Sequence, residues 1–352
     1  MLAYRYWGDK VLRLEEIAVP VLGDGGALVK IKACSICGTD VRTYRFGSEK
    51  IDKGRVAGHE MVGVIQELAP GLPGDFKAGD VVSMAPAIGC GECRSCKKGH
   101  TNMCDHLTTM GFQYDGGFAE YSVFPKKSFL MGNVYKLPQV DDVVPFTLSE
   151  PLACVINAQS YVHIEAGEDV VIFGSGIIGC MHAELAQARG ARVFIVEPAE
   201  ERRRQVKGIL NDVTFIAGGK EGAAPEILRL TGGKGADVAI IACSVGSAQS
   251  DGLQSLAKCG RLSLFGGLPG DGLGYLDSNR IHYYELGVFG VHASTPAQNK
   301  TAMELLHSGK IDARKFISKR FLLSEIETAF KEAAAGSILK AVVVMDKGKT
   351  GM

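Results

Sequence analysis

Hydrophobic positions follow two different rhythms along the chain. Up to about Glu150 they come in short β-rich runs, Ala27-Leu28-Val29-Lys30-Ile31 and Met61-Val62-Gly63-Val64-Ile65 among them, separated by Gly, Pro and Asp turns. This zone reads as an irregular, β-rich domain. From about Asp169 the apolar runs fall at 170–173, 193–196, 213–216, 238–241, 262–265 and 286–289. Helix-length segments link the first five. Parallel neighbours need such crossovers, and strands covered on both faces are apolar throughout, so the pattern predicts an α/β domain with a doubly wound parallel sheet.

After Phe289 the alternation stops. Ser324 and Glu327, with apolar Ile326, Ala329 and Phe330, predict an amphipathic helix that Ser324 caps, and Ala341-Val342-Val343-Val344 predicts one more strand. So little material cannot bury a core by itself. The tail is therefore expected to dock onto the first zone, making 1–151 and 289–352 one domain and 152–288 an insertion within it. The length of 352 residues suits two cores better than one.

Charge narrows the function. Lys plus Arg and Asp plus Glu each number 39, and no long like-charge run occurs. That balance argues against nucleic acid or a membrane surface as the main partner and favours a small-molecule substrate. The N-terminal stretch has no apolar signal core and no segment is long enough to span a bilayer, so a reducing cytoplasmic setting is expected.

In that setting Cys90, Cys93, Cys96 and Cys104, spaced Cys-x2-Cys-x2-Cys-x7-Cys, read as four thiolates for one tetrahedral metal ion and not as disulfides. A second set is spread more widely: Cys37-Gly38-Thr39-Asp40, Gly58-His59-Glu60 and Glu150-Pro151. Thiolate, imidazole and carboxylate can hold a zinc with one position left for water or substrate, as a Lewis acid requires. Asp40 is the expected acceptor for the ring N–H of His59. Cys34 and Cys37 also form a Cys-x-x-Cys, but the pair does not open a helix of a thioredoxin-like unit, which disfavours a redox dithiol.

The run 170–173 leads straight into Gly174-Ser175-Gly176-Ile177-Ile178-Gly179. The first glycine allows a tight turn, the second lets backbone approach a pyrophosphate, and the third lets helix pack on strand. The helix start at Ile177 and Ile178 offers unpaired N–H groups to the phosphates. Glu197, at the end of the next strand, stands where an acid accepts from a ribose 2′-hydroxyl, so NAD is preferred to NADP; Arg202, Arg203 and Arg204 are the nearest groups that could receive an extra phosphate.

These motifs, together with Gly116-Gly117-Phe118-Ala119-Glu120-Tyr121, occur in one order along nearly the whole chain. The chain resembles the zinc-dependent medium-chain alcohol dehydrogenase family, in its polyol (sorbitol or L-iditol) dehydrogenase branch. The resemblance implies a GroES-like catalytic domain interrupted by a Rossmann domain, with the cleft between them. It also implies two zinc ions per subunit, a structural one on an exposed lobe at about 88–106 held by Cys90, Cys93, Cys96 and Cys104. The catalytic one would be bound by Cys37, His59 and Glu60, with Glu150 either bonded directly or holding the metal's water. Thr39 would relay the proton. Many members place a histidine where this chain has Arg42, which is always charged and cannot serve as the base.

The activity so implied is reversible hydride transfer between NAD and a secondary hydroxyl of a polyol or cyclitol, in a homotetramer or homodimer. A polyol phosphate, bound by Arg42, Arg45 or Lys50, and L-threonine are the alternative substrates. A catalytically inactive zinc- and nucleotide-binding structural protein is the alternative of another class, and the intact set of candidate ligands speaks against it.

Overall fold

The strand Gly26–Ser35 is the axis around which the first part of the chain assembles. It pairs antiparallel with Glu60–Leu68, Ser35 lying opposite Glu60 and Cys34 opposite Met61. On its other side Ala341–Val344 places Val342 opposite Ser35. Val81–Met84 and Val134–Lys136 extend the sheet one way and Lys319–Leu322 the other, while Tyr121–Pro125 pairs with the first half of Gly26–Ser35. The computed structural model describes residues 1–23, 25–219, 222–268 and 274–345. It divides into two compact units: Met1–Ala153 with the segment returning at Ala293, and Cys154–His292.

In the first unit the returning segment supplies both a strand and a lid for the core. Helix Ile326–Ala335 buries Ile326, Ala329 and Phe330, and the Phe330 ring meets those of Tyr4, Tyr44 and Phe118 at 5.2, 5.6 and 5.6 Å. Aromatic contacts at such centroid distances add to the burial of three large side chains. The helix does not start directly after Ser324 as expected. A 3-10 turn, Leu323–Glu325, comes first, and the Glu325 carboxylate accepts from the Leu322 N–H at 2.8 Å, so the cap lies further back along the chain.

In the second unit six parallel strands lie in the order Val213–Ile216, Arg192–Val196, Asp169–Phe173, Ala236–Ile241, Leu256–Leu264, Gly287–Gly290. The sequence reverses direction at Asp169–Phe173 and Ala236–Ile241, the switch point of a doubly wound sheet, where ligands bind beyond the carboxyl ends of the strands. The strand expected at 262–265 begins at Leu256, because Lys258, Cys259 and Arg261 interrupt its apolar pattern and the pairing with Ala236–Ile241 shifts register after Ala236. Among the described residues no helix is long and apolar enough to cross a membrane.

Helix Ile177–Ala188 packs on this sheet and carries a histidine into the interior. His182 is fully buried, edge-on to Phe265 at 5.1 Å, with Nδ1 3.3 Å from the Gln159 amide and Nε2 without a hydrogen-bond partner among the described residues. Burial, aided by the charge of Arg189, holds its pKa down at about 3. A folded pKa below the ordinary value of about 6.5 means that the unfolded chain binds the extra proton first. Stability from this residue is therefore complete above about pH 6.5 and is lost progressively as the pH falls toward about 3. Chemical denaturation should show the protein losing about 2 kcal/mol more between about pH 8 and about pH 5 than a His182→Leu variant does. Parallel pH profiles for the two proteins would remove His182 as the cause.

Candidate metal centre and nucleotide site

Strand ends position the first candidate group. Cys37 follows the axial strand in extended backbone, φ −85° and ψ 156°, as the N-cap of helix Gly38–Phe46, and its N–H donates to Asp40 Oδ2 at 2.9 Å. Glu60 opens the neighbouring strand and His59 immediately precedes it, both buried. One ligand atom from each of Cys37, His59 and Glu60 lies within 4.8 Å of the others. Bonds of about 2.0–2.3 Å to one ion span such separations, and a thiolate, an imidazole and a carboxylate are a zinc donor set. The residues present therefore fit a divalent metal.

Other expected members stand farther out. Glu150 lies half-buried in the first turn of helix Ser149–Val162 and outside that trio, yet its negative charge is felt at His59 and at Lys340. Burial alone would lower the His59 pKa, but the charges of Cys37, Asp40 and Glu150 hold it well above the usual range. Asp40 Oδ1 is 3.7 Å from His59 Nδ1, too far for a hydrogen bond. That nitrogen has no partner among the described residues, and Asp40 instead caps the helix at Cys37. Thr39 is half-buried on the same first turn and Arg42 is exposed one turn on. Cys34 is fully buried, its Sγ placed where a side chain on Gly58 or Gly117 would meet it, and burial pushes its pKa well up. It is a packed, inert thiol and not half of a redox pair.

Two residues that the sequence alone did not single out complete this group. Glu60 Oε2 accepts from the Ser35 hydroxyl, and Lys340 Nζ bonds the same oxygen at 2.5 Å. The side chains of Glu60 and Lys340 are only 1% and 2% exposed. Burial by itself would lower the Lys340 pKa, but the negative charges of Glu60 and Cys37 raise it. The one available signal was a lone lysine inside the apolar stretch Ile338-Leu339-Lys340-Ala341-Val342.

The four-cysteine group also converges, with one atom from each of Cys90, Cys93, Cys96 and Cys104 within 4.8 Å of the rest. Cys90 and Cys96 sulfurs are 4.0 Å apart and Cys93 and Cys104 sulfurs 3.9 Å. A tetrahedron with metal–sulfur bonds of about 2.3 Å has edges of about 3.8 Å, whereas a disulfide would need about 2.05 Å. Backbone N–H groups of Cys93 and Glu92 hold Cys90 down at about 6, while burial pushes Cys104 up to about 12. Four thiols this close cannot all ionise without a cation to share.

In the second unit Asp169–Phe173 runs into the glycine turn. Gly174 has φ +101°, a conformation that L side chains avoid, and a Cβ on Gly179 would lie 2.0 Å from the Gly174 carbonyl oxygen. A Cβ on Gly176 would meet nothing within 4 Å, leaving open space beside the start of helix Ile177–Ala188, whose N-cap Gly176 brings no side chain to its N–H groups. The turn thus fits a dinucleotide pyrophosphate. Glu197 Oε2 accepts from Ser175 N at 3.1 Å and Ser175 Oγ at 2.9 Å, and Oε1 accepts from Ala199 N at 3.0 Å. Arg202 Nη1 donates to Gln205 at 2.8 Å, Arg203 Nη1 to the Glu197 and Pro198 carbonyls at 2.6 and 2.8 Å, and Arg204 pairs with Glu200 and Glu201.

Comparison with known proteins places this geometry in context. Residues 23–139 match the alcohol dehydrogenase GroES-like domain and residues 178–308 the zinc-binding dehydrogenase domain. L-threonine 3-dehydrogenase of Pyrococcus furiosus is 34% identical over 338 residues, 94% of each chain. Sorbitol dehydrogenase of Halalkalibacterium halodurans is 29% identical over 332 residues, again 94% of each. A zinc-binding dehydrogenase of Sinorhizobium meliloti 1021 bound to NADP superposes with a TM-score of 0.86 at 27% identity, over 97% of this chain and 98% of that one. The chain belongs to the zinc-dependent medium-chain alcohol dehydrogenase family, in its polyol dehydrogenase-like branch. It is an oxidoreductase of a family that acts on small-molecule alcohols with a nucleotide cofactor.

Cys93→Ser should lower the metal content by about one ion per chain and shift thermal unfolding down by several degrees, as loss of a structural zinc does. Elemental analysis of the purified variant checks this, and unchanged content would sink the reading of these four cysteines.

Proposed function

We propose that the protein is a zinc- and NAD-dependent dehydrogenase that reversibly oxidises a secondary hydroxyl of a polyol or cyclitol. The observation that carries this reading is the convergence of Cys37, His59 and Glu60 with ligand atoms inside 4.8 Å. A zinc ion bound there supplies the Lewis acidity that eases loss of the hydroxyl proton near neutral pH, and the nicotinamide accepts the hydride. Cys37, His59 and Glu60 hold that ion, and Glu150 supplies a further carboxylate near it. Thr39, on the first turn beside Cys37, is the hydroxyl for passing the proton on, because the guanidinium of Arg42 cannot accept one. Cys90, Cys93, Cys96 and Cys104 hold a second, structural zinc.

NAD is favoured over NADP by Glu197. Three hydrogen bonds fix its carboxylate at the strand end, where it accepts from ribose hydroxyls and repels a 2′-phosphate. The neighbouring arginines already have acceptors of their own, as described above. Arg45 likewise donates to the Ala334 carbonyl, which weakens the case for a polyol phosphate. L-threonine is the second reading, favoured by the 34% identity to an L-threonine 3-dehydrogenase. Among the described residues the outer strand Gly287–Gly290 pairs on one side only, with Leu256–Leu264, and that edge suits assembly with a second copy into a homo-oligomer.

Nicotinamide absorbance followed over polyols, cyclitols, polyol phosphates and L-threonine, each with NAD and with NADP, tests the function. The highest kcat/KM is expected for an unphosphorylated polyol or cyclitol with NAD; a clear maximum for L-threonine would replace that substrate, and no turnover of any would end the enzymatic reading. Glu197→Gln should cut the preference for NAD over NADP by about tenfold, the effect of about 1.4 kcal/mol in relative cofactor affinity. Cys37→Ser should lower kcat by at least about a hundredfold.

A further inference from the structure

We infer that Lys340 is a stand-in cation for the metal at Cys37, His59 and Glu60, sharing with Ser35 the carboxylate oxygen of Glu60 that the metal must compete for. The inference rests on that trio being a metal site.

Its basis is a convergence of three adjacent strand ends. Ser35 closes the axial strand, Glu60 opens the strand opposite it, and Lys340 immediately precedes the strand that places Val342 opposite Ser35. The Ile36 N–H bonds the Ala341 carbonyl at 3.0 Å, which ties the backbone beside Lys340 to the backbone beside Cys37. Hydroxyl and ammonium therefore meet the same oxygen, Glu60 Oε2, in a pocket closed to water.

The charges around this point decide its chemistry. Glu60 brings a carboxylate to the trio, with the carboxylates of Asp40 and Glu150 nearby, and the Lys340 ammonium is the cation in direct contact with Glu60. A buried carboxylate without a cation is strongly disfavoured, and Lys340 supplies one whether or not metal is bound. When a divalent ion enters, it brings two positive charges close to a third and must draw on an oxygen already engaged by two donors. Lys340 accordingly stabilises the metal-free form more than the loaded form. By linkage, anything that favours the metal-free form weakens metal binding to the same degree.

A merely structural lysine would behave differently. Its loss would destabilise stripped and loaded protein equally and leave the metal's release rate unchanged. A lysine that oriented Glu60 toward the metal would, when lost, speed release.

The test uses the metal-loaded full chain and follows metal transfer to a chromogenic chelator, alongside elemental analysis. The release phase that disappears in Cys37→Ser belongs to this trio. In Lys340→Met that phase should slow by about tenfold, because the repelling charge is gone. Thermal unfolding of the stripped Lys340→Met protein should fall by more than that of the loaded protein. Adding Glu60→Gln to Lys340→Met removes both buried charges and should restore the stripped protein's unfolding temperature. Should Lys340→Met not accumulate in folded form, Ser35→Ala removes the neutral donor from the same oxygen and should slow release by about twofold to threefold. Release unchanged or faster in the variant that folds overturns the stand-in role while leaving the metal site intact. A wild-type chain that carries a single metal ion, with content and release unaltered by Cys37→Ser, overturns both readings.

Discussion

The pairing register between Gly26–Ser35 and Glu60–Leu68 is the constraint on which the first unit's chemistry depends. Side chains alternate between sheet faces with a period of two, so a slip of one residue would carry Glu60 to the opposite face from Ser35. Gly63 helps exclude such a slip. A Cβ there would lie 2.5 Å from Val29 Cγ1 and 2.7 Å from the Lys30 carbonyl, so the two strands approach closely only with glycine at that position. From this register follow the position of His59 beside Cys37 and the meeting of hydroxyl, carboxylate and ammonium.

The nucleotide site in the second unit is built on another principle. There the backbone does most of the work: a glycine at positive φ turns the chain, a second glycine brings strand and helix together, and the helix start presents its N–H groups outward. Glu197 is the one charged side chain on which discrimination turns, and the buried Ser175 holds it from beneath through both its N–H and its hydroxyl. The serine occupies a place that the glycine motif leaves unspecified, which is how a chain-specific support enters a shared frame.

Much of this was legible in the residues. The apolar runs at 193–196 and 341–344 fall in strands Arg192–Val196 and Ala341–Val344, because a strand buried on both faces leaves an unbroken hydrophobic signature. Cys90, Cys93, Cys96 and Cys104 could be grouped from spacing alone, since short spacers place the sulfurs locally. Ser35 and Lys340 could not, because their roles come from a tertiary meeting of strands that leaves no periodic trace. His182 was equally silent: a histidine among Cys180, Met181 and Ala183 reads as one more residue of a packed helix. The distance from His59 to Asp40 was also beyond sequence reasoning, since the capping demand of Cys37 N–H and the pull of the imidazole compete for one carboxylate, and the backbone wins.

The contact between Glu60 and Lys340 joins positions 280 residues apart. During synthesis, thiolate, imidazole and carboxylate emerge early and wait while the whole parallel sheet is made before their ammonium neighbour leaves the ribosome. In that interval the acidic groups have no built-in counterion, and closing so long a loop is slow. The Glu60 carboxylate therefore gains its buried ammonium partner only once the last strand of the first unit has been made.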